Sequence, residues 1–179
     1  MAKADTRDRI VEAAMNIVRE RGPARLTLDE AARVANVSKG GVLYHFKSKD
    51  ELVREMVHRM IDRCETLSSR YFAEEGESPY RWNRALVQTA FDPCGPGNDP
   101  VGAAVLAAVM LNPALIEPLR AKFAEWDKRI LEGSPDPDLA VLVDLAMDGL
   151  FMNRVTGMNQ YDDAQLDRLK DKALALLTA

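Results

Sequence analysis

Cysteine and histidine are scarce, with two of each in 179 residues. Cys64 and Cys94 cannot build a disulfide framework and show no metal-ligand spacing, which fits a reducing compartment. His45 and His58 stand without a set of Cys or carboxylates at ligand spacing. The chain has no nucleophile elbow, no glycine loop of the phosphate-cradling kind and no His-Glu-x-x-His segment. Catalysis is therefore not expected, and no metal or other cofactor is required. The carboxylate pairs Glu74-Glu75 and Asp162-Asp163 fall at helix ends, where solvated caps explain them. Long apolar runs are missing as well. The longest, Val101–Leu111, is too short to span a bilayer, and Met1–Arg9 alternates charges without an apolar h-region, so no signal peptide is expected. Together these absences predict a soluble, cytoplasmic protein.

What is present is an ordinary globular composition, 47% hydrophobic and 29% charged. A chain of this length buries roughly 70% of its unfolded surface and needs no disulfide or metal to hold it. The net charge of −4 argues against nucleic acid until its distribution is read. Residues 1–60 carry 12 Lys/Arg against 9 Asp/Glu, and the remainder carries 12 against 19. That pattern suggests a basic head on an acidic body.

Nearly every segment has helical periodicity, and none alternates convincingly at period two. The first helix, about Asp5–Arg21, puts Ile10, Val11, Ala14, Ile17 and Val18 on one stripe and stops at Gly22-Pro23. Thr27 with Glu30, and Ser48 with Glu51, form capping boxes that open two further helices. Between them Asn36 occupies a left-handed turn position and Ser38 caps a short helix to about His45. The Ser48 helix runs to about Tyr71. Later helices are expected from Ser78-Pro79 to Phe91, over Val101–Leu111 (buried nearly all round), from Asn112-Pro113 to Ser134, over Asp138–Gly157, and over Asp162–Leu177. Asp92–Pro100, rich in proline and glycine, is a loop. The fold class is all-α, with nine helices.

Thr27–Leu52 has the spacing of a helix-turn-helix, whose second helix can enter the DNA major groove. Spacing alone also fits an αα-hairpin inside a bundle; composition separates the two. Ser38–His45 is short, glycine-rich and low in helicity, a poor choice for stabilising a bundle. Gly40 and Gly41 remove bulk near its start, where backbone can approach bases or phosphates. Lys39, Lys47 and Lys49 place positive charge at both its ends, with no acid until Asp50.

The run from Thr27 to Leu52, and above all Leu43-Tyr44-His45-Phe46-Lys47-Ser48-Lys49-Asp50-Glu51-Leu52, closely resembles the DNA-binding motif of TetR-type transcriptional regulators. The motif resemblance covers about residues 7–55; the rest matches in length and helix count. Asn36 stands where that family usually has glycine and tolerates the same left-handed conformation. Ala31 stands where a larger aliphatic is common. The resemblance implies a three-helix head over residues 1–48 and a ligand-binding and dimerisation body over 49–179. It also implies contacts to double-stranded DNA. Thr27, Tyr44 and Lys49 would lie at phosphates, with His45 beside Tyr44 at the helix end and Lys47 also at the DNA, and Ser38, Lys39, Gly40 and Gly41 would face the major groove, Lys39 reading guanine. Val42, Leu43 and Phe46 are expected in the core.

One short recognition helix reads few base pairs, so a homodimer on a pseudo-palindromic operator is expected. The C-terminal helix pair supplies its surface through Leu142, Ala146, Leu150, Leu166, Leu169, Ala173 and Leu177. A small apolar or amphipathic effector is expected in the body, in a pocket walled by Trp82, Phe91, Met110, Phe123, Trp126, Met147 and Phe151. Gln88, Asn112, Asp148, Asn153 and Arg154 are candidate polar handles. Effector binding would release DNA, and the resemblance implies that the protein is a repressor. The same head would also serve a regulator without small ligand, controlled by a partner protein or by abundance.

Overall fold

The computed structural model describes residues 5–178. Met1–Ala4, the start of the stretch expected to lack a leader, and Ala179 lie outside the described residues. Those residues form nine α-helices and three 3-10 turns, with no strand among them. The all-α expectation holds. No described helix is long and apolar enough to cross a membrane. The helices gather into two compact units, one of the chain up to Met60 with Pro100–Leu119, the other of Ile61–Asp99 with the chain from Arg120. The boundary expected between residues 48 and 49 falls at the start of the helix Lys49–Glu74, whereas this grouping divides that helix after Met60 and adds the helix Val101–Leu111 to the first unit.

In the first unit, α1 (Thr6–Arg21) presents the expected stripe, and Ile10, Val11, Ala14, Ile17 and Val18 are all buried. Gly22 ends it at φ 79°, a conformation that glycine adopts without the Cβ penalty. After a 3-10 turn (Pro23–Arg25) come α2 (Leu28–Ala35) and α3 (Lys39–His45), both packed on α1. The first part of α4 (Lys49–Glu74) buries Leu52, Val53, Met56 and Val57. Helix α6 (Val101–Leu111) corrects an expectation. Val101, Gly102, Ala104 and Val105 are buried, but Met110 is 76% and Leu111 89% exposed. The far end of α6 lies beside a cleft instead of a packed neighbour.

The helix expected from Asn112-Pro113 starts later. Asn112 caps a 3-10 turn (Pro113–Ile116), and α7 begins at Glu117. Pro118 dictates this, since proline has no N–H and clashes with the carbonyl four residues back, so it sits only in a helix's first turn.

The second unit contains the rest of α4, α5 (Arg81–Phe91), most of α7 (Glu117–Glu132), α8 (Pro137–Val155) and α9 (Asp163–Leu176). Ser78-Pro79 forms a turn closed by the Arg81 N–H on the Ser78 carbonyl (3.1 Å), so α5 starts three residues later than expected. The loop after α5 carries a third 3-10 turn (Pro96–Asn98). Gly95 is obligatory there, because a Cβ would fall 2.4 Å from the Thr89 carbonyl oxygen. α5 packs on α8 and α9 around Tyr80, Trp82, Val87, Trp126, Ile130 and Val143.

Candidate nucleic-acid interface

The helix-turn-helix is built by its caps. Thr27 Oγ1 accepts the Glu30 N–H at 3.1 Å, satisfying one orphan donor at the start of α2. The reciprocal half of the expected box is absent. Glu30 instead takes Arg33 and Arg21, and these guanidiniums, Arg33 first, hold its carboxyl down at about 2. Asn36 ends α2 at φ 53°, ψ 51°, the left-handed position that asparagine tolerates. Ser38 Oγ then accepts the Gly41 N–H at 3.0 Å and opens α3. At α4, Ser48 Oγ accepts the Glu51 N–H, while the Glu51 carboxylate reaches past the cap to the Lys47 N–H at 2.7 Å.

The pair is fastened to its support through polar contacts as well. Arg9 donates to the Ala35 carbonyl at 2.6 Å, occupying an acceptor freed at the end of α2. Arg7 pairs with Glu55 at 2.5 Å, and Asp8 with Arg59, so α1 is tied to α4 at two points. The Arg7 guanidinium also lies over the Phe46 ring, 5.3 Å from its centroid. Val42 and Phe46 are fully buried beneath α3.

The opposite face of α3 is open. Lys39, Gly40, Leu43, Tyr44 and Lys47 are exposed there, followed by Lys49 on α4; Tyr44 is 77% exposed. A Cβ on Gly40 would meet only Ser38 Oγ at 3.9 Å, so this stretch offers bare backbone. Gly41 and His45 are half-buried, and His45 packs edge-on against the Tyr44 ring at 5.0 Å. Two of the lysines already have partners: Lys39 meets Asp29 at 2.9 Å, and Lys47 Nζ donates to the Leu43 carbonyl at 3.0 Å. Leu43 departs from the expected core and is exposed. Four residues separate it from Lys39 and three from Gly40, which puts it on their face. The helical spacing held that signal.

The structure only partly collects the residues expected around an effector. Trp82 and Trp126 are core residues of the second unit, with Phe91, Phe123 and Met147 packed against them, and Phe151 is half-buried on α8. Met110 belongs to the first unit and is exposed, so it is not part of that group. Trp126 Nε1 donates to Glu65 at 2.7 Å, and Arg129 meets the same carboxylate at 2.7 Å. Burial opposes ionisation of Glu65, but hydrogen bonds from Trp126, Arg129 and Lys122 outweigh it and lower its pKa. The Trp82 Nε1 is buried with no partner. Gln88 donates to Glu75 and Arg154 to the Ala90 carbonyl, so both handles are spent on structure. Burial pushes the Cys64 thiol up to about 11, and Cys94 is exposed. A thiol that stays protonated is unreactive, which describes Cys64.

Two carboxylates of α8 are placed unusually. Burial, then Asp148 and Asp127, raise Asp144 to about 7, and Asp148 is raised by burial and Asp127. Neither has a cationic partner among the described residues. The unfolded chain releases the Asp144 proton near pH ~3.9. This group therefore favours folding fully below that value and loses its contribution as pH rises to about 7. Asp144→Asn is therefore expected to stabilise by about 1–2 kcal/mol at about pH 8, after solvent screening, and by almost nothing at about pH 4. Urea denaturation of both proteins at the two pH values measures this, and equal differences at both would refute it.

Of the residues expected at a dimer surface, Leu142, Ala146 and Leu169 are exposed and Leu166 is half-buried. Leu150, Ala173 and Leu177 are buried within the chain itself. Val141, Leu145 and Met152 join Leu142 on the open side of α8, and Leu176 joins Leu169 on α9.

Comparison with known proteins matches the chain in two stretches. Residues 10–56 match the family described as bacterial regulatory proteins, tetR family, and residues 80–178 match the tetracyclin repressor-like C-terminal domain. The HTH-type transcriptional regulator TtgR of Pseudomonas putida is 32% identical over 88 residues, 49% of this chain and 42% of that one. The probable acrEF/envCD operon repressor of Escherichia coli (strain K12) is 25% identical over 128 residues, 72% of this chain and 53% of that one. The chain thus spans about half the length of the curated relatives it matches. A transcriptional regulator from Rhodococcus sp. Rha1 shares the fold with a TM-score of 0.77 at 22% identity, over 97% of this chain and 96% of that one. The multidrug binding protein EbrR, solved in complex with ethidium, does so with a TM-score of 0.70 at 21% identity, over 97% and 99%.

Proposed function

We infer the function from the family: this chain belongs to the TetR family of bacterial regulatory proteins, and it is a transcriptional regulator, not an enzyme. It acts as a dimeric repressor that binds a pseudo-palindromic operator in double-stranded DNA. The observation that carries this reading is the open face of α3, where bare backbone at Gly40, the exposed Tyr44 hydroxyl and three lysines surround a helix anchored by Val42 and Phe46. Thr27, Tyr44, His45, Lys47 and Lys49 serve phosphates, and Ser38, Lys39, Gly40 and Gly41 face the bases. In the free protein Asp29 holds Lys39. Reading a guanine therefore requires exchange of a surface ion pair, which costs little.

Selection of bound fragments from a genomic DNA library, across a salt series, tests the reading. One palindrome should be enriched, and log K should fall against log salt with a slope of about −0.9 for each phosphate neutralised. A folded dimer that enriches no sequence, with or without cell extract, would refute it.

The repressor is released by an effector in the second unit, through a coupling of about 1–3 kcal/mol that weakens DNA affinity about 5- to 150-fold. That effector is a small apolar or amphipathic molecule, a class supported by the aromatic side chains of Trp82, Phe91, Phe123 and Trp126 gathered in this unit. Ethidium, bound by the neighbour EbrR, has that chemistry. A regulator with no small ligand is the second reading, favoured by the packing of Trp82 and Trp126 as core.

A further inference from the structure

The first unit contains a half-open cleft of about 250 Å³ between the 3-10 turn after α1, the start of α4 and the far half of α6. Its origin is visible in the sequence. Ala104, Ala107 and Ala108 line it from α6. They recur at three- and four-residue steps, so they share one helix face and put no bulk into the space before Val53 and Met56. Leu26, Val105 and Leu111 complete apolar walls. Lys49 is the one ionisable residue of the lining, and it has no acidic partner among the described residues. Its neighbour Asp50 is turned to the Asn112 amide at 2.8 Å.

We propose that this cleft binds a small aryl- or alkylcarboxylate, with the hydrocarbon against Val53, Met56 and Ala108 and the carboxylate on the Lys49 ammonium. Size fits the class, since a cavity of about 150 Å³ takes a benzene ring and this one leaves room for a short chain beyond it. Charge fits too, because apolar walls beside one exposed, unpaired cation favour an amphipathic anion over a cation or neutral molecule. Resting on the reading that Lys49 serves an operator phosphate, occupancy would also weaken DNA binding by withdrawing that cation. No component of the second unit is needed for this.

The site is tested without DNA, by titrating 4-phenylbutyrate into the protein and following ¹³C-methyl signals. Met56 and Ala108 should shift, with Met147 unmoved and a Kd on the order of 1 mM. 4-Phenylbutanol should bind about three- to fivefold more weakly, and Lys49→Gln should abolish that preference. Ala108→Leu should weaken the probe about tenfold. Ala107→Leu, at an exposed wall position, repeats the test where crowding threatens the fold less. Unmoved Met56 and Ala108 signals, shifts at Met147 instead, or equal affinity for the alcohol would each overturn the proposal. On a selected operator fragment, saturating probe should lower affinity; bound probe without that loss overturns the coupling and leaves the site standing. Failure to find an operator bears on the proposed function alone.

Discussion

Phe46→Ala should cost about 3–5 kcal/mol and abolish operator binding, although its ring is turned away from the open face of α3. Phe46 is fully buried, caps α3 through its N–H on the Val42 carbonyl at 2.8 Å, and lies under the Arg7 guanidinium. Truncation leaves a cavity where α1, α3 and α4 depend on one another, and the loss is a large share of a typical stability of about 5–15 kcal/mol. Tyr44→Ala is the informative contrast. Its side chain is mostly in solvent, so stability should stay within about 0.5 kcal/mol while operator affinity falls. Urea midpoints and DNA titrations of the two variants separate support from contact. A loss below about 1 kcal/mol in Phe46→Ala would mean that the short recognition helix stands without its anchor.

That contrast also shows how far the sequence could be read. Local chemistry was legible wherever one side chain answers one backbone group: Thr27, Ser38 and Ser48 each cap a helix, and Asn36 takes the left-handed turn. The choice between competing partners was not. Glu30 has the spacing to complete a capping box, but two arginines bond to it, and one of them, Arg21, comes from another helix. Such charge-assisted bonds are stronger than a neutral backbone N–H can offer. Leu43 shows the same limit, because a leucine among core residues reads as core until the helix phase is fixed by Val42 and Phe46. In α6 an apolar run signalled burial, yet its alanines leave a cleft that no count of hydrophobic residues reveals. On α8 and α9 apolar residues occupy several faces, so periodicity could not assign Leu150, Ala173 and Leu177 inward and Leu145 outward.

The outward face of α8 carries the other large effect. Leu142 is 65% and Leu145 60% exposed, and with Val141, Met152 and the small Ala146 and Gly149 they form a stripe at three- and four-residue steps. Leu169 and Leu176 extend an open apolar surface along α9. Monomeric proteins rarely leave so continuous a patch in water, and in the proposed dimer two such helices from each copy would make a four-helix contact. Leu142→Asp with Leu145→Asp places four carboxylates in that contact, two per copy, at positions where the isolated chain loses little. The double variant is expected to sediment as a folded monomer, and its operator affinity should drop to the non-specific range of about 10⁻⁴–10⁻⁶ M. Each head would still be intact; what disappears is the second head on the same molecule, and with it the half of the palindrome that one short helix cannot read. A double variant that remains dimeric would move the contact to another face. One that becomes monomeric yet binds the operator unchanged would show that a single α3 is sufficient for recognition.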